Sequence, residues 1–101
     1  MKHKDLTTLI DELVAGESEL HHSKGVEYAS ESDALANFKS AALELGVTPK
    51  QACGLYLHKH YTAIMHNARG GGVLSESIES RVRDLRLFAA LYLALHKEEG
   101  K

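Results

Sequence analysis

The sequence contains one cysteine, Cys53, one proline, Pro49, and no tryptophan in 101 residues. A lone thiol cannot build a disulfide framework within one chain or a multi-cysteine zinc site. A single proline excludes a Pro-rich recognition module. The longest uninterrupted apolar run, residues 87–95, falls far short of the roughly 18 residues a membrane-spanning helix needs. The opening stretch, MKHKDLTTLIDEL, places acids inside its apolar segment. It does not read as a secretory signal, so a cytoplasmic protein is expected.

Carboxylates are missing from one window. None occurs between Glu44 and Glu76, a stretch that holds Lys50, His58, Lys59, His60, His66 and Arg69. The net charge of −2 is too small for a generic nucleic-acid binder. Its distribution is uneven: residues 1–50 carry five basic and nine acidic side chains, and residues 51–101 carry seven and five. A cationic, acid-free window attracts anions. It is equally what an apolar helix with few charges produces.

What is present is ordinary for a globular domain: 44% apolar and 26% charged residues, in a length that makes one domain. Strand-like alternation is absent and helical spacing dominates. A first helix is expected over about residues 5–24, with Leu6, Leu9, Ile10, Leu13, Val14 and Leu20 on one buried face. A second, about 31–45, opens on a capping-box pattern at Ser30–Asp33, buries Leu35, Phe38, Ala41, Ala42 and Leu45, and stops at Gly46. A third, about 49–68, opens on Thr48, Pro49 and Gln51, with Cys53, Tyr56, Leu57, Tyr61 and Ile64 inward. A fourth, about 75–97, buries Ile78, Val82, Leu85, Phe88, Ala89, Tyr92 and Leu95. Leu87, Leu91 and Ala94 widen that last stripe beyond one core's needs, which predicts an oligomer surface there. The expected architecture is an all-α, four-helix, up-down bundle-like single domain that forms a homo-oligomer.

Several polar residues fall where the helical wheel places core. Glu17 and Lys24 continue the stripe of the first helix, and Tyr28 follows one turn later. Asn37 borders the apolar face of the second helix, His60 the edge of the third, and Arg81 the middle of the fourth, with Asp84 three residues on. In an up-down bundle Lys24, Tyr28, Asn37, His60, Arg81 and Asp84 share one end. Two explanations stand. Arg81 pairs with Asp84 and Lys24 with Glu17 in a structural network, or the group lines a ligand pocket.

The signals for catalysis are weak. No nucleophile elbow or His-x-x-x-His zinc pair occurs. His58 and His60 point in different directions on a helix, as do His21 and His22. Gly70, Gly71 and Gly72 could cradle phosphate, yet no Lys-Ser pair follows, so they read as a helix–helix loop. Glu76 and Glu79 could hold Mg²⁺, although acids near a helix start also simply complement the dipole.

The order Lys24, Tyr28, Asp33, Asn37-Phe38-Lys39, Gly46, Thr48-Pro49, Lys59-His60, Ser75-Glu76, Arg81, Asp84-Leu85 resembles a mostly uncharacterised group of small all-α bacteriophage and prophage proteins. These are distantly similar to MazG-type nucleotide pyrophosphohydrolases and nucleotide-modification-associated domains. The resemblance covers about residues 15–97 and implies a helical fold and a nucleotide-like ligand. The MazG-type pattern of Glu-x-x-Glu followed on a later helix by Glu-x-x-Asp is not matched, since Glu76-x-x-Glu79 lies on the last helix. The expectation is therefore a non-enzymatic binder of a nucleotide or nucleotide-derived anion, without a cofactor. Lys24, Lys59, His60, Arg69 and Arg81 would supply charge, Tyr28, Tyr56 or Tyr61 a stacking ring, and Asn37 and Asp84 hydrogen bonds. Phage proteins of this class also act in counter-defence, by sequestering a host defence signal. Two other readings stay open. One is a module that binds or inhibits a host protein through the apolar face of the fourth helix. The other is an Mg²⁺-dependent pyrophosphohydrolase using Glu76, Glu79 and Asp84.

Overall fold

The computed structural model describes residues 1–28, 33, 35–72 and 75–100, and for residues 20–28 only the course of the backbone. Four helices occur among them: α1 (His3–Tyr28), α2 (Ala36–Leu45), α3 (Pro49–Ala68) and α4 (Ile78–Glu99). The all-α reading holds, and none of the helices is long and apolar enough to cross a membrane.

The sharpest sequence boundary is realised in full. Thr48 Oγ1 accepts from Gln51 N–H at 3.1 Å, and Gln51 Oε1 accepts from Thr48 N–H at 2.9 Å. Pro49 sits at the first helical position, where its missing donor costs nothing. Gly46 ends α2 at φ 69°, and the N–H groups of Gly46 and Val47 both reach Ala42 O. That left-handed conformation is why glycine stands there.

Other boundaries moved. Gly25 does not stop α1, because a glycine within a helix costs only about 1 kcal/mol. Ser30–Ser32 lie outside the described residues. The helix that follows begins at Ala36, later than expected, and Asp33 forms a turn instead: its Oδ1 accepts from Leu35 N–H at 2.9 Å. Helix α4 starts three residues late, capped by Ser77, whose Oγ accepts from Ser80 N–H. That delay leaves Ser75 and Glu76 in a bend, free to fold back along the first turn.

Helix α3 packs along α4 over the largest interface, α2 lies on α3, and α1 lies on α4. The core is the cluster Leu35, Phe38, Cys53 and Leu95, with Phe88, Leu91 and Ala94 packed around it. Rings organise it. Phe88 stacks nearly parallel to both Tyr56 and His60, at 5.1 and 5.5 Å between centroids, while Phe38 meets Tyr56 and Phe88 edge-on.

The wide stripe of α4 is largely used within the chain: Leu91 and Ala94, partly buried, pack against the core, and Leu87 is half-buried. The physical reason is that α4 serves two neighbours, α3 and α1, and needs a broader apolar arc than a helix with one. The correction runs the other way on α1. Leu6, Leu9, Ile10 and Val14, expected inside, are exposed, and only Leu13 of that segment is half-buried. Leu45, Tyr61, Ala89 and Tyr92 are likewise exposed, and Tyr56 is about half-exposed despite its ring contacts.

Cys53 is fully buried, its Sγ 3.4 Å from Phe88 O as a weak donor, and burial pushes its thiol up to about 11. A thiol so placed is neutral and shielded at neutral pH. Alkylation of native protein by iodoacetamide is expected to be negligible and to become fast only in denaturant. Rapid labelling of native protein would contradict the packing of the α3–α4 seam.

Candidate functional site

Three of the residues picked out by the helical wheels meet at one point. His60 from α3 and Arg81 and Asp84 from α4 converge beside the stacked rings, joined by Glu76 and Ser75 from the preceding bend. His60 is 5% exposed and Arg81 9%. Arg81 Nη1 lies 3.4 Å from His60 Nδ1, and Arg81 Nη2 donates to Ser75 Oγ at 3.2 Å. A guanidinium has no lone pair, so His60 Nδ1 must be the acceptor, and the ring proton then sits on Nε2. Nε2 faces Asp84 Oδ2 at 4.0 Å, an attraction longer than a hydrogen bond.

The guanidinium is incompletely matched. Its Nε is buried with no hydrogen-bond partner, and the nearest carboxylate among the described residues, Glu76 Oε2, stands 3.7 Å away on a half-exposed side chain. The pair Arg81–Asp84 expected for a structural network is therefore not formed: Asp84 points to the histidine, and Glu76 and Ser75 face the arginine. The late start of α4 is the cause, because it returns the bend to Arg81. The other expected pair is also replaced on its described side. Glu17 accepts from Arg86 Nε of α4 at 3.1 Å.

Burial lowers the affinity of His60 for a proton. Asp84 pulls the other way, Arg81 and Lys59 reinforce the lowering, and Glu76 opposes it. The folded protein thus protonates His60 at a lower pH than the unfolded chain, whose histidine titrates near 6.5. Stability from neutral His60 is complete above that value and is lost as pH falls below it. Urea midpoints taken from about pH 7.5 to about pH 5.5 should fall, and fall less in His60→Gln, which keeps an acceptor for Arg81 without titrating. Equal slopes in both proteins would refute this.

The remaining expected site residues do not gather here. Lys59, Arg69 and Asn37 are exposed, and none forms a hydrogen bond or ion pair with the cluster among the described residues. The side chains of Lys24 and Tyr28 lie outside the described residues. The glycine loop is not a free phosphate cradle. Gly70, at φ 77°, donates to Asn67 O and Gly71 to His66 O, so both N–H groups cap α3. Glu76 is drawn to Arg81 and Glu79 is exposed. No group of three His, Cys, Asp or Glu side chains among the described residues could hold a metal ion.

A second polar cluster, which sequence spacing did not reveal, sits at the opposite end of the α3–α4 seam. Lys39 bridges Asp33 and Glu98, while Lys50 meets Glu99, His96 and the face of Tyr92. These contacts flank an open cavity of about 220 Å³ beside Thr48, Pro49 and Leu95. Its lysines are already held by carboxylates, so it acts as a clasp between α2, α3 and the end of α4. The signal was unreadable because the carboxylates and histidine at the end of α4 lie more than 45 residues along the chain from the lysines they meet. Comparison with protein families, with curated proteins and with solved structures found no match for this chain.

Proposed function

We propose that the chain is a non-enzymatic helical protein that binds a phosphate-bearing, nucleotide-like ligand at the Arg81–His60 corner. One observation carries this reading: a guanidinium nine-tenths buried, whose Nε makes no hydrogen bond and faces Glu76 only at 3.7 Å, with no carboxylate of the described residues within hydrogen-bond distance. A desolvated, under-matched arginine is costly to keep, and a phosphate oxygen matches its planar donors better than any group now beside it. Ser75 Oγ and the neutral His60 ring add hydrogen-bonding groups, and the nearby Asp84 carboxylate suits a ribose hydroxyl or a base N–H. The nucleotide class comes from the family resemblance, and closure of the four helices as an up-down bundle belongs to the same proposal.

The test is a thermal-shift series with nucleoside mono-, di- and triphosphates and cyclic dinucleotides, with and without Mg²⁺. A ligand at 100 times its Kd stabilises the folded state by about 2.7 kcal/mol. An upward shift in the wild type that vanishes in Arg81→Met supports the site. No shift with any of these compounds, or a shift that survives the substitution, refutes it. Mg²⁺-dependent release of pyrophosphate that is lost in Glu79→Ala would replace this reading with the hydrolase.

A further inference from the structure

The N-terminal half of α1 carries an apolar row that is about half-exposed. Leu6, Ile10 and Val14 form an i, i+4, i+8 row, and Leu9 lies beside it. Each of the four is between 41% and 47% exposed. Only the next turn is anchored, by half-buried Leu13 and by Glu17 bonded to Arg86 of α4. An isolated helical arm of this length is marginal in water and gains stability mainly by packing its apolar face.

The area of the molecule gives the scale. The chain exposes 7351 Å², whereas a folded monomer of 11.1 kDa exposes about 5,650 Å². Its radius of gyration is 15.2 Å, against about 13 Å for a compact chain of this length. The chain is thus more open than a compact monomer of its length, and pairing of the four α1 side chains would cover part of that excess.

Charge selects the orientation. Before Leu6 the chain carries Lys2 and Lys4 against Asp5. After Ile10 it carries Asp11, Glu12, Glu17 and Glu19 with no cation until Lys24. Two such helices side by side in parallel would set acid against acid. Antiparallel, each basic start lies along the acidic stretch of the other.

We infer that the occupant of this face is a second copy of the chain, with the two α1 helices paired antiparallel about a two-fold axis near Ile10. Leu6 of one copy then meets Val14 of the other, and the contact is isologous and closed. It is independent of the Arg81 site and does not use the stripe of α4.

Sedimentation velocity and light scattering at micromolar concentration test the pairing. The wild type should run as a dimer, and Leu9→Glu/Ile10→Glu as a monomer with undiminished α2–α4 packing, read by Cys53 protection from iodoacetamide. That readout separates loss of pairing from loss of fold, since both side chains lie outside the core. Single cysteines test the orientation, with Cys53 too buried to interfere. Ile10→Cys should form a disulfide with itself. Leu6→Cys should not, because its two copies lie about 12 Å apart along the axis, but it should link to Val14→Cys in a mixed sample. A monomeric wild type, a double variant that remains dimeric, or self-linking of Leu6→Cys would each overturn the inference.

Discussion

Phe38→Ala is expected to remove about 3–4 kcal/mol of stability, because a buried phenyl ring leaves both lost transfer energy and a cavity. Phe38 is 7% exposed and sits where α2 closes on the α3–α4 seam, with its ring edge-on to Tyr56 and Phe88. The loss falls on a chain with few substitutes. Among the described residues the buried apolar set is only Leu35, Phe38, Ala42, Ala52, Cys53 and Leu95. Domains of this size have about 5–15 kcal/mol in total, and each kcal/mol moves the melting temperature by about 4–8 °C. A fall of at least about 12 °C by differential scanning calorimetry is therefore expected. A fall below about 4 °C would mean that α2 does not hold the seam in solution.

Arg81→Met is expected to do the opposite to the ligand-free protein while abolishing ligand binding. Four facts set the sign. The guanidinium is nearly buried, its Nε makes no hydrogen bond, Glu76 stands beyond hydrogen-bond range, and the contact to His60 is long at 3.4 Å. Burying such a charge costs several kcal/mol unless it is well paired, and replacing it with a flexible apolar side chain of similar length removes that cost. Against this stands the lost donor to His60 Nδ1, about 1 kcal/mol for a neutral acceptor. Glu76 is half-exposed and relaxes into solvent. The net expectation is a melting temperature unchanged or raised, with the nucleotide-induced shift gone. Arg81→Lys should keep the charge but not the planar fork, and recover only part of the binding. A loss above about 2 kcal/mol in Arg81→Met with binding intact would make Arg81 structural.

The two substitutions probe different layers of the same seam. Phe38 and Arg81 are both positioned by Phe88, one through a ring edge and the other through the His60 ring stacked on it. The packing that stabilises the chain thus also presents the polar corner. The pH dependence of His60 and the protection of Cys53 report on that packing without altering it.

Local chemistry was written in the sequence. Thr48, Pro49 and Gln51 determine the start of α3, and Gly46 the end of α2, because caps and a left-handed glycine depend on residues within one turn. Helical periodicity likewise placed Arg81 and His60 on buried faces, since the wheel needs only the 3.6-residue repeat. Partner choice was a different matter. That Arg81 faces His60, Ser75 and Glu76 rather than Asp84 depends on a three-residue delay in the start of α4, and that Glu17 holds Arg86 depends on where α1 lands. Which apolar stripe is covered was also decided by tertiary structure. An amphipathic pattern shows that a face wants burial, but not what supplies it. Helix α4 has neighbours on two sides and uses its wide stripe on them, while α1 packs mainly on α4 among the described residues and leaves Leu6, Leu9, Ile10 and Val14 exposed.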